Sequence, residues 1–252
     1  MRQTIPELKN KLEELYLEYN RPDFIPKDPV KFPHRYKKKS DREIAAFIAA
    51  TIAWGRRDLI LRSGERIFET LGPSPYSYVM EEKFLSLDDR GKSLHRTFFE
   101  GDLKYFCRGL RACYTKYDSL EALFTQSDNI FDGISLFRRT MAEGNGGLYS
   151  KHVANPDSGS ACKRLNLALR WLIRREGPVD LGLWKSISPA SLIIPLDVHV
   201  GRISRKLGLL QRKANDRKSA LFLTDSLRAF CPEDPCKYDL ALFGYGVGEE
   251  KY

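Results

Sequence analysis

Metal-binding patterns are the first thing this chain lacks. Its five cysteines are an odd number at irregular spacings, no Cys-x-x-Cys occurs, and Cys231 and Cys236 have no histidine near them. Free thiols are expected, with no zinc site, iron–sulfur cluster or other cofactor. Long apolar runs are missing as well: stretches such as Ile44 to Trp54 are too short to span a bilayer. The stretch from Met1 to Lys9 holds no apolar signal core, so a cytoplasmic protein with no membrane partner is expected. Alternating apolar and polar positions of strand length, internal repeats and low-complexity tracts are absent too, which removes sheet-rich and solenoid folds. Gly244-Tyr-Gly-Val-Gly248 has no strand pattern before it and no helix pattern after it, which excludes a dinucleotide loop.

What is present has helical spacing. A chain of 252 residues, 42% of them hydrophobic, can bury a core as one large domain or two lobes. Thr4-Ile-Pro-Glu7 combines a capping box with proline in the first turn and opens a helix to about Tyr19. Residues 20–39, rich in proline and lysine, predict an ordered connector. Ser40-Asp-Arg-Glu43 is a second capping-box pattern, followed by the stripe Ile44, Phe47, Ile48, Thr51 and Ile52 up to Gly55. Ile60, Ile67, Phe68 and Leu71 form the next stripe, closed by Gly72-Pro73. Helical patterns continue over Leu103 to Tyr117, Leu120 to Phe124 and Ile130 to Met141, and Gly144-Asn-Gly-Gly147 interrupts them. Asn155-Pro-Asp-Ser-Gly159 predicts a tight turn. After it come a helix from Ala161, one from Asp197 closed by Gly208, one capped by Asn215 to Phe230, and a last one from Asp234-Pro235 through Phe243. The expected fold class is all-α.

The net charge is +9, and its placement says more than its size. Residues 31–39, 161–175 and 199–213 each carry five Lys/Arg and no acid, so the remainder of the chain is net acidic. Positive charge concentrated on an acidic body is the footprint of a polyanion site. Each run taken alone is equally a solvated helix face.

Two residues carry candidate chemistry. Lys163 opens a basic helix on which Lys163, Asn166, Arg170 and Arg174 share one polar stripe, opposite Ala161, Leu165, Ala168 and Leu172. An amine at the positive end of a helix has its ammonium form disfavoured, which is one way a lysine becomes a nucleophile. Asp197 follows Ile193-Ile-Pro-Leu and launches a second helix, with His199, Arg202 and Lys206 on its polar face. Its structural role is to cap free backbone N–H groups. A capping carboxylate is also rigidly aimed, so the two roles are compatible.

At these residues a resemblance enters. Ile194-Pro-Leu-Asp-Val-His-Val-Gly-Arg-Ile-Ser-Arg-Lys-Leu-Gly-Leu209 resembles the aspartate segment of the helix-hairpin-helix (HhH-GPD) DNA glycosylases. Pro156-Asp-Ser-Gly-Ser-Ala-Cys-Lys163 is similar to that superfamily's hairpin, after which a helix begins with the catalytic lysine in bifunctional members. Phe32-Pro-His-Arg-Tyr36, Ala53-Trp-Gly-Arg56, His95-Arg-Thr-Phe98, Ala161-Cys-Lys-Arg-Leu-Asn166 and Lys237-Tyr-Asp-Leu-Ala-Leu-Phe-Gly244 together look like an uncharacterised bacterial family (DUF2400-like), distantly similar to archaeal 8-oxoguanine glycosylase. The glycosylase likeness is specific over 156–210. The hairpin departs from the superfamily in holding one glycine, Gly159, where two are usual. The span from Lys163 to Asp197 is also longer than in most members, and the cysteine cluster of the endonuclease III-like branch is absent.

The resemblance implies one two-lobed all-α unit over 1–252, with a cleft between the lobes and 156–210 as the helix-hairpin-helix and catalytic segment. It implies a DNA base-excision glycosylase, with or without AP-lyase activity, acting as a monomer on double-stranded DNA with a damaged base, an oxidised purine among the candidates. Unstacking such a base costs a few kcal/mol. Lys163 would attack C1′ and Asp197 would take the proton or steady the cationic sugar. The Gly159 and Ser160 backbone N–H groups, with Arg164, His199, Arg202 and Arg205, would hold phosphates. Trp54 and Arg56 would line the base pocket, although Trp54 is equally a core aromatic ending an apolar helix. The pairs His34-Arg35 and His95-Arg96 are expected to be satisfied polar residues tying the lobes together. A non-catalytic helix-hairpin-helix protein that binds nucleic acid is the alternative, and a structural helical protein with scattered basic faces is a third possibility.

Overall fold

The computed structural model describes residues 4–249, with side chains through residue 246; residues 1–3 of the N-terminal stretch lie outside the described residues. The chain forms two compact units, Met1–Phe24 with Pro156–Tyr252, and Ile25–Asn155. In chain order, α1 (Ile5–Tyr19) belongs to the first unit. The second holds α2 (Lys31–His34), α3 (Lys39–Thr51), α4 (Arg57–Leu71), α5 (Pro75–Met80), the short antiparallel strands β1 (Ser93–His95) and β2 (Phe98–Phe99), α6 (Glu100–Tyr117), α7 (Leu120–Phe124) and α8 (Ile130–Glu143). The chain then returns to the first unit with α9 (Lys163–Ile173), α10 (Val198–Lys206), α11 (Arg217–Arg228) and α12 (Tyr238–Glu249). The all-α expectation holds, the two small strands being too short to leave a pattern in the sequence. Among the described residues no helix is long and apolar enough to cross a membrane.

In the second unit, α3 is the central element. Every residue from Glu43 to Thr51 is buried, the alanines 45, 46, 49 and 50 as fully as Ile44, Phe47 and Ile48. A helix buried all round belongs in the middle of a core. The capping box expected at Ser40–Glu43 does not form. The N-cap is Lys38, without a side-chain cap. Asp41 accepts hydrogen bonds from Ser74 Oγ (2.8 Å) and the Tyr76 N–H (2.9 Å), and Glu43 accepts from Tyr114 OH (2.7 Å). Tertiary partners outcompeted the local cap. The connector over 20–39 is more regular than expected, holding a 3₁₀ turn at Pro22–Lys27 as well as α2.

In the first unit, α1 starts with the expected box: the Glu7 N–H donates to Thr4 Oγ1 and the Thr4 N–H to Glu7 Oε2. Leu8, Leu12, Leu15 and Tyr16 of α1 are buried, and α1 packs along α12. Gly244 permits that approach, because a Cβ there would sit 2.3 Å from the Tyr19 ring. The glycine-rich tail from Gly244 therefore lies inside α12 rather than beyond the last helix. Residues 174–197 are mostly irregular but tied down. The Trp171 carbonyl accepts from the Leu181 N–H (2.7 Å), the Leu172 carbonyl accepts from the Trp184 N–H (2.9 Å), and Trp184 is fully buried. The cap of α11 is Asp216, one residue after the expected Asn215.

Candidate active site

Three helix starts of the first unit, those of α9, α10 and α12, carry the charged residues Lys163, Asp197 and Asp239. Lys163 is the first residue of α9. The residue before it, Cys162, sits in the left-handed region (φ 50°), and its N–H donates to Ser160 Oγ (3.1 Å). A non-glycine residue held in that conformation costs energy, and such strain tends to collect at functional sites. Asp197 caps α10, accepting from the Val200 N–H at 2.8 Å. Lys163 Nζ lies 3.7 Å from Asp197 Oδ2, and both side chains keep access to solvent, at 26% and 33% exposure. The lysine and the aspartate of the sequence expectation therefore face one space.

A third charged group, absent from the expected site, joins them. Asp239, in the first turn of α12, is buried and interacts electrostatically with both Lys163 and Asp197. Burial raises its carboxyl above the ordinary value, with Arg170 and Lys163 opposing and Asp197 reinforcing. The signal was in the sequence: an acid directly ahead of the apolar run Leu240-Ala-Leu-Phe243, inside a segment already notable for its family likeness.

Behind this group the polar stripe of α9 turns inward. Asn166, Arg170 and Arg174 are all buried, so the stripe faces the core rather than a ligand. Arg170 bonds Asp239 through Nη1 and Asp180 through Nη2 (3.1 Å). Arg174 bonds Asp180, Asp234 (Nε to Oδ2, 2.9 Å) and Tyr16 OH (3.1 Å). Burial opposes the charge of Arg174, but Asp180 and Asp234 outweigh it and hold the guanidinium above its ordinary value. The charge of residues 161–175 is thus partly neutralised internally, and this window is not a continuous cationic face.

The predicted turn is present as a 3₁₀ turn at Pro156–Ser158, with Gly159 in the left-handed region (φ 84°). Its geometry corrects one expectation, that the Gly159 N–H is open to a phosphate. The Gly159 N–H donates to the Pro156 carbonyl (3.0 Å), so it is used within the turn. The residues ahead of the turn, 148–155, are irregular. Ser160 instead bridges to Asp216, and the Arg217 N–H donates to the Gly159 carbonyl (2.8 Å), stitching the turn to the start of α11.

Of the cationic residues expected at phosphates, His199 and Arg202 are exposed on α10. Arg164 is half-buried, and burial lowers its guanidinium from the ordinary value. Arg205 is engaged elsewhere: it donates to the carbonyls of Arg212 (2.6 Å), Lys213 (2.8 Å) and Ala214 (3.0 Å) and to Asn215 Oδ1 (2.6 Å). It holds the loop ahead of α11 and is a structural residue.

Trp54 and Arg56 belong to the second unit. The Trp54 carbonyl accepts from His95 Nε2 (2.9 Å), and the Arg96 guanidinium lies 4.5 Å from the centre of the Trp54 ring. The ring is covered on that face by a cation, not bare for a base. Arg56 is exposed and paired with Asp58 (3.0 Å). His95 is buried, with Nδ1 3.0 Å from Ser63 Oγ, so it is the satisfied polar residue expected, its partners lying within its own unit. None of the five cysteines is in a disulfide.

Residues 28–248 match the family described as "Protein of unknown function (DUF2400)". No curated protein and no solved structure matches the chain.

Proposed function

The chain belongs to the DUF2400 family of unknown function, and for this member we propose DNA base-excision chemistry: a glycosylase with AP-lyase activity acting on a damaged base flipped from duplex DNA. The observation that carries it is the 3.7 Å approach of Lys163 Nζ to Asp197 Oδ2, at two helix starts open to solvent. The likeness of residues 156–210 to the helix-hairpin-helix glycosylases supports it.

In this reaction Asp197 takes a proton from the Lys163 ammonium, and the free amine forms a bond to C1′ as the C1′–N bond to the base breaks. The departing base leaves with the electron pair and takes up the proton that Asp197 accepted. Transfer of a proton from Nζ to O4′ opens the sugar ring to a Schiff base between Nζ and C1′, and loss of a C2′ proton to water then expels the 3′ phosphate and cleaves the strand. Asp197 is suited to its part because its Oδ1 is already fixed by the Val200 N–H, which aims the carboxylate without a further ordering cost. His199 and Arg202, exposed on the helix that Asp197 caps, would meet phosphates flanking the sugar. Arg205 and the Gly159 N–H, engaged within the protein, take no part.

Borohydride trapping tests the proposal. Wild-type protein on duplexes holding an abasic site or an oxidised purine is expected to give a covalent adduct, and Lys163→Ala none. Tight duplex binding with no wild-type adduct would sink the enzyme reading and leave a non-catalytic nucleic-acid-binding module.

A further inference from the structure

Two segments that the proposed reaction leaves unused meet in the second unit: Trp54-Gly55, just after α3, and His95-Arg96, at the tip of the β1–β2 hairpin. Between the paired residues His95 and Phe98 the tip is the two-residue turn Arg96-Thr97. Where the first position of such a turn takes a positive φ, glycine, asparagine and aspartate are the usual occupants. Here an arginine takes it, at φ 52°, and its carbonyl accepts a hydrogen bond from Ser93 Oγ (2.7 Å). The side chain is placed as firmly as the backbone. Its guanidinium lies 4.5 Å from the centre of the Trp54 ring, and the Trp54 carbonyl is held by His95 Nε2 (2.9 Å). Gly55 gives the guanidinium its room. A Cβ there would lie 2.6 Å from Arg96 Nη1, and its φ of 95° is one that glycine alone adopts readily.

What this arrangement lacks is an acceptor. Among the described residues the Arg96 guanidinium has neither a carboxylate nor a hydrogen-bond partner. Other arginines of the same unit are paired: Arg35 with Glu65, Arg57 with Asp28 and Arg111 with Glu82. Trp54 adds a second unspent donor, because its buried Nε1 has no partner, and buried donors are seldom left so. Charge is out of balance as well. Arg56, next in the chain to Gly55, and Arg62 both reach the same oxygen of Asp58, at 3.0 Å each. With Arg96, three cations share one acid.

We propose that Arg96, held over Trp54 and given its room by Gly55, is a binding site for a phosphate group of a DNA backbone, with Arg56 and Arg62 beside it for neighbouring phosphates. Naming DNA rests on the reading proposed above, while the anion site itself does not. A guanidinium braced against a ring keeps its planar fork of N–H donors for an oxyanion, which it can meet with two bonds at once. The ordering cost of the side chain is met before the ligand arrives. Three cations against one acid suit a polymer of closely spaced phosphates better than a lone anion. Trp54 in this role supports a cation and does not stack a base, and the contact sets position without reading sequence.

Phenylglyoxal modification of the full wild-type chain, read at the Arg96 peptide by mass spectrometry, tests the site at the residue itself. Duplex DNA at low salt should slow modification of Arg96 about fivefold and leave that of Arg111 unchanged. Protection of Arg96 by inorganic phosphate but not by duplex overturns the assignment to DNA. Protection by neither overturns the site, and equal protection of Arg111 overturns it as general masking.

Binding of the same duplex, followed by fluorescence anisotropy across salt, is the second arm. Arg96→Gln should weaken binding about tenfold and lower the slope of log affinity against log salt by about one. Arg111→Gln removes the same charge from a paired position and should change neither. Arg96→Lys keeps the charge and loses the fork, so it should hold the slope and still bind about threefold more weakly. Wild-type affinity in Arg96→Gln or Arg96→Lys, or an equal loss in Arg111→Gln, overturns the inference. None of these readouts involves Lys163. A wild-type protein that gives no borohydride adduct therefore sinks the proposed reaction, and the footprint still decides the phosphate site.

Discussion

Arg174 Nε lies 3.0 and 2.9 Å from the two carboxylate oxygens of Asp234, and neither side of the pair is on the surface. Desolvating such a pair is costly, and the cost is met only while every charge keeps its partner. Arg174→Met should therefore strand Asp234, leave Asp180 with Arg170 alone, and lose about 3–5 kcal/mol in urea unfolding. The triple variant Arg174→Met, Asp180→Asn, Asp234→Asn should recover most of that loss. A triple variant no more stable than the single one would show that the charges are not what the arginine balances.

Asp197 has a structural and a chemical duty, and two substitutions separate them. Asparagine caps a helix about as well as aspartate, so Asp197→Asn should unfold within a few tenths of a kcal/mol of wild type. Asp197→Ala loses the bond from the Val200 N–H and should cost about 1 kcal/mol. Both should lower borohydride trapping at least a hundredfold if the carboxylate takes the amine's proton. Trapping at the wild-type rate in Asp197→Asn would leave the residue a cap and nothing more.

Local chemistry was legible in the sequence where one turn of helix decides the outcome. The Thr4–Glu7 box, Gly72 and Gly208 past their helices, the turn at Pro156 and the cap at Asp197 all depend on neighbours within a few positions. What periodicity could not tell was which way a polar stripe faces. Arg170 and Arg174 had the spacing of a solvated face, and they are internal because Asp180, Asp234 and Asp239 arrive from elsewhere in the chain. The same blindness turned Ser40-Asp-Arg-Glu43 into a supposed capping box, since Ser74, Tyr76 and Tyr114, the partners of Asp41 and Glu43, are remote in sequence. Lys163 and Asp197 were expected at one space; Asp239 was not, because its burial and its bond to Arg170 are tertiary.

Two arginines of α10, both candidates for phosphate contacts, should behave in opposite ways. Arg205→Ala removes four hydrogen bonds that fix residues 212–215 and should cost about 1–3 kcal/mol of stability. Arg202 is exposed, and Arg202→Ala should leave stability within about 0.5 kcal/mol. It should weaken duplex binding and reduce the slope of log affinity against log salt by about one. Chemical unfolding together with a salt titration of binding distinguishes them. An unchanged salt slope in Arg202→Ala would remove α10 from the nucleic-acid interface.

In the second unit, propensity and packing conflict at Gly64. Alanine within α4 gains up to about 1 kcal/mol over glycine from helix propensity. A Cβ at this position, however, would lie 2.1 Å from the Phe32 ring, which is fully buried and stacked on Phe68 at 4.6 Å. Overpacking of that kind costs about 1–3 kcal/mol. Gly64→Ala should therefore be net destabilising, and Gly64→Ala with Phe32→Leu less so. A rise in melting temperature for the single variant would mean that the ring yields more easily than its burial suggests.

The start of α11 makes a pH-dependent contribution whose sign is fixed by its hydrogen bonds. The Ser219 N–H donates to Asp216 (2.8 Å) and Arg212 pairs with it (2.8 Å), and these hold its carboxyl down to about 2, against an ordinary value of 3.8. The unfolded chain binds that proton more tightly than the folded one. The stability it confers is accordingly complete above pH 4 and is lost as pH falls toward 2. Asp216→Asn keeps the cap and removes the titration, so its urea midpoint should fall less steeply than that of wild type between pH 4 and 2. The difference should be small because the side chain is partly exposed, and it should shrink further in high salt. Parallel curves for the two proteins would mean that Arg212 and the Ser219 N–H do not discriminate between carboxylate and carboxylic acid.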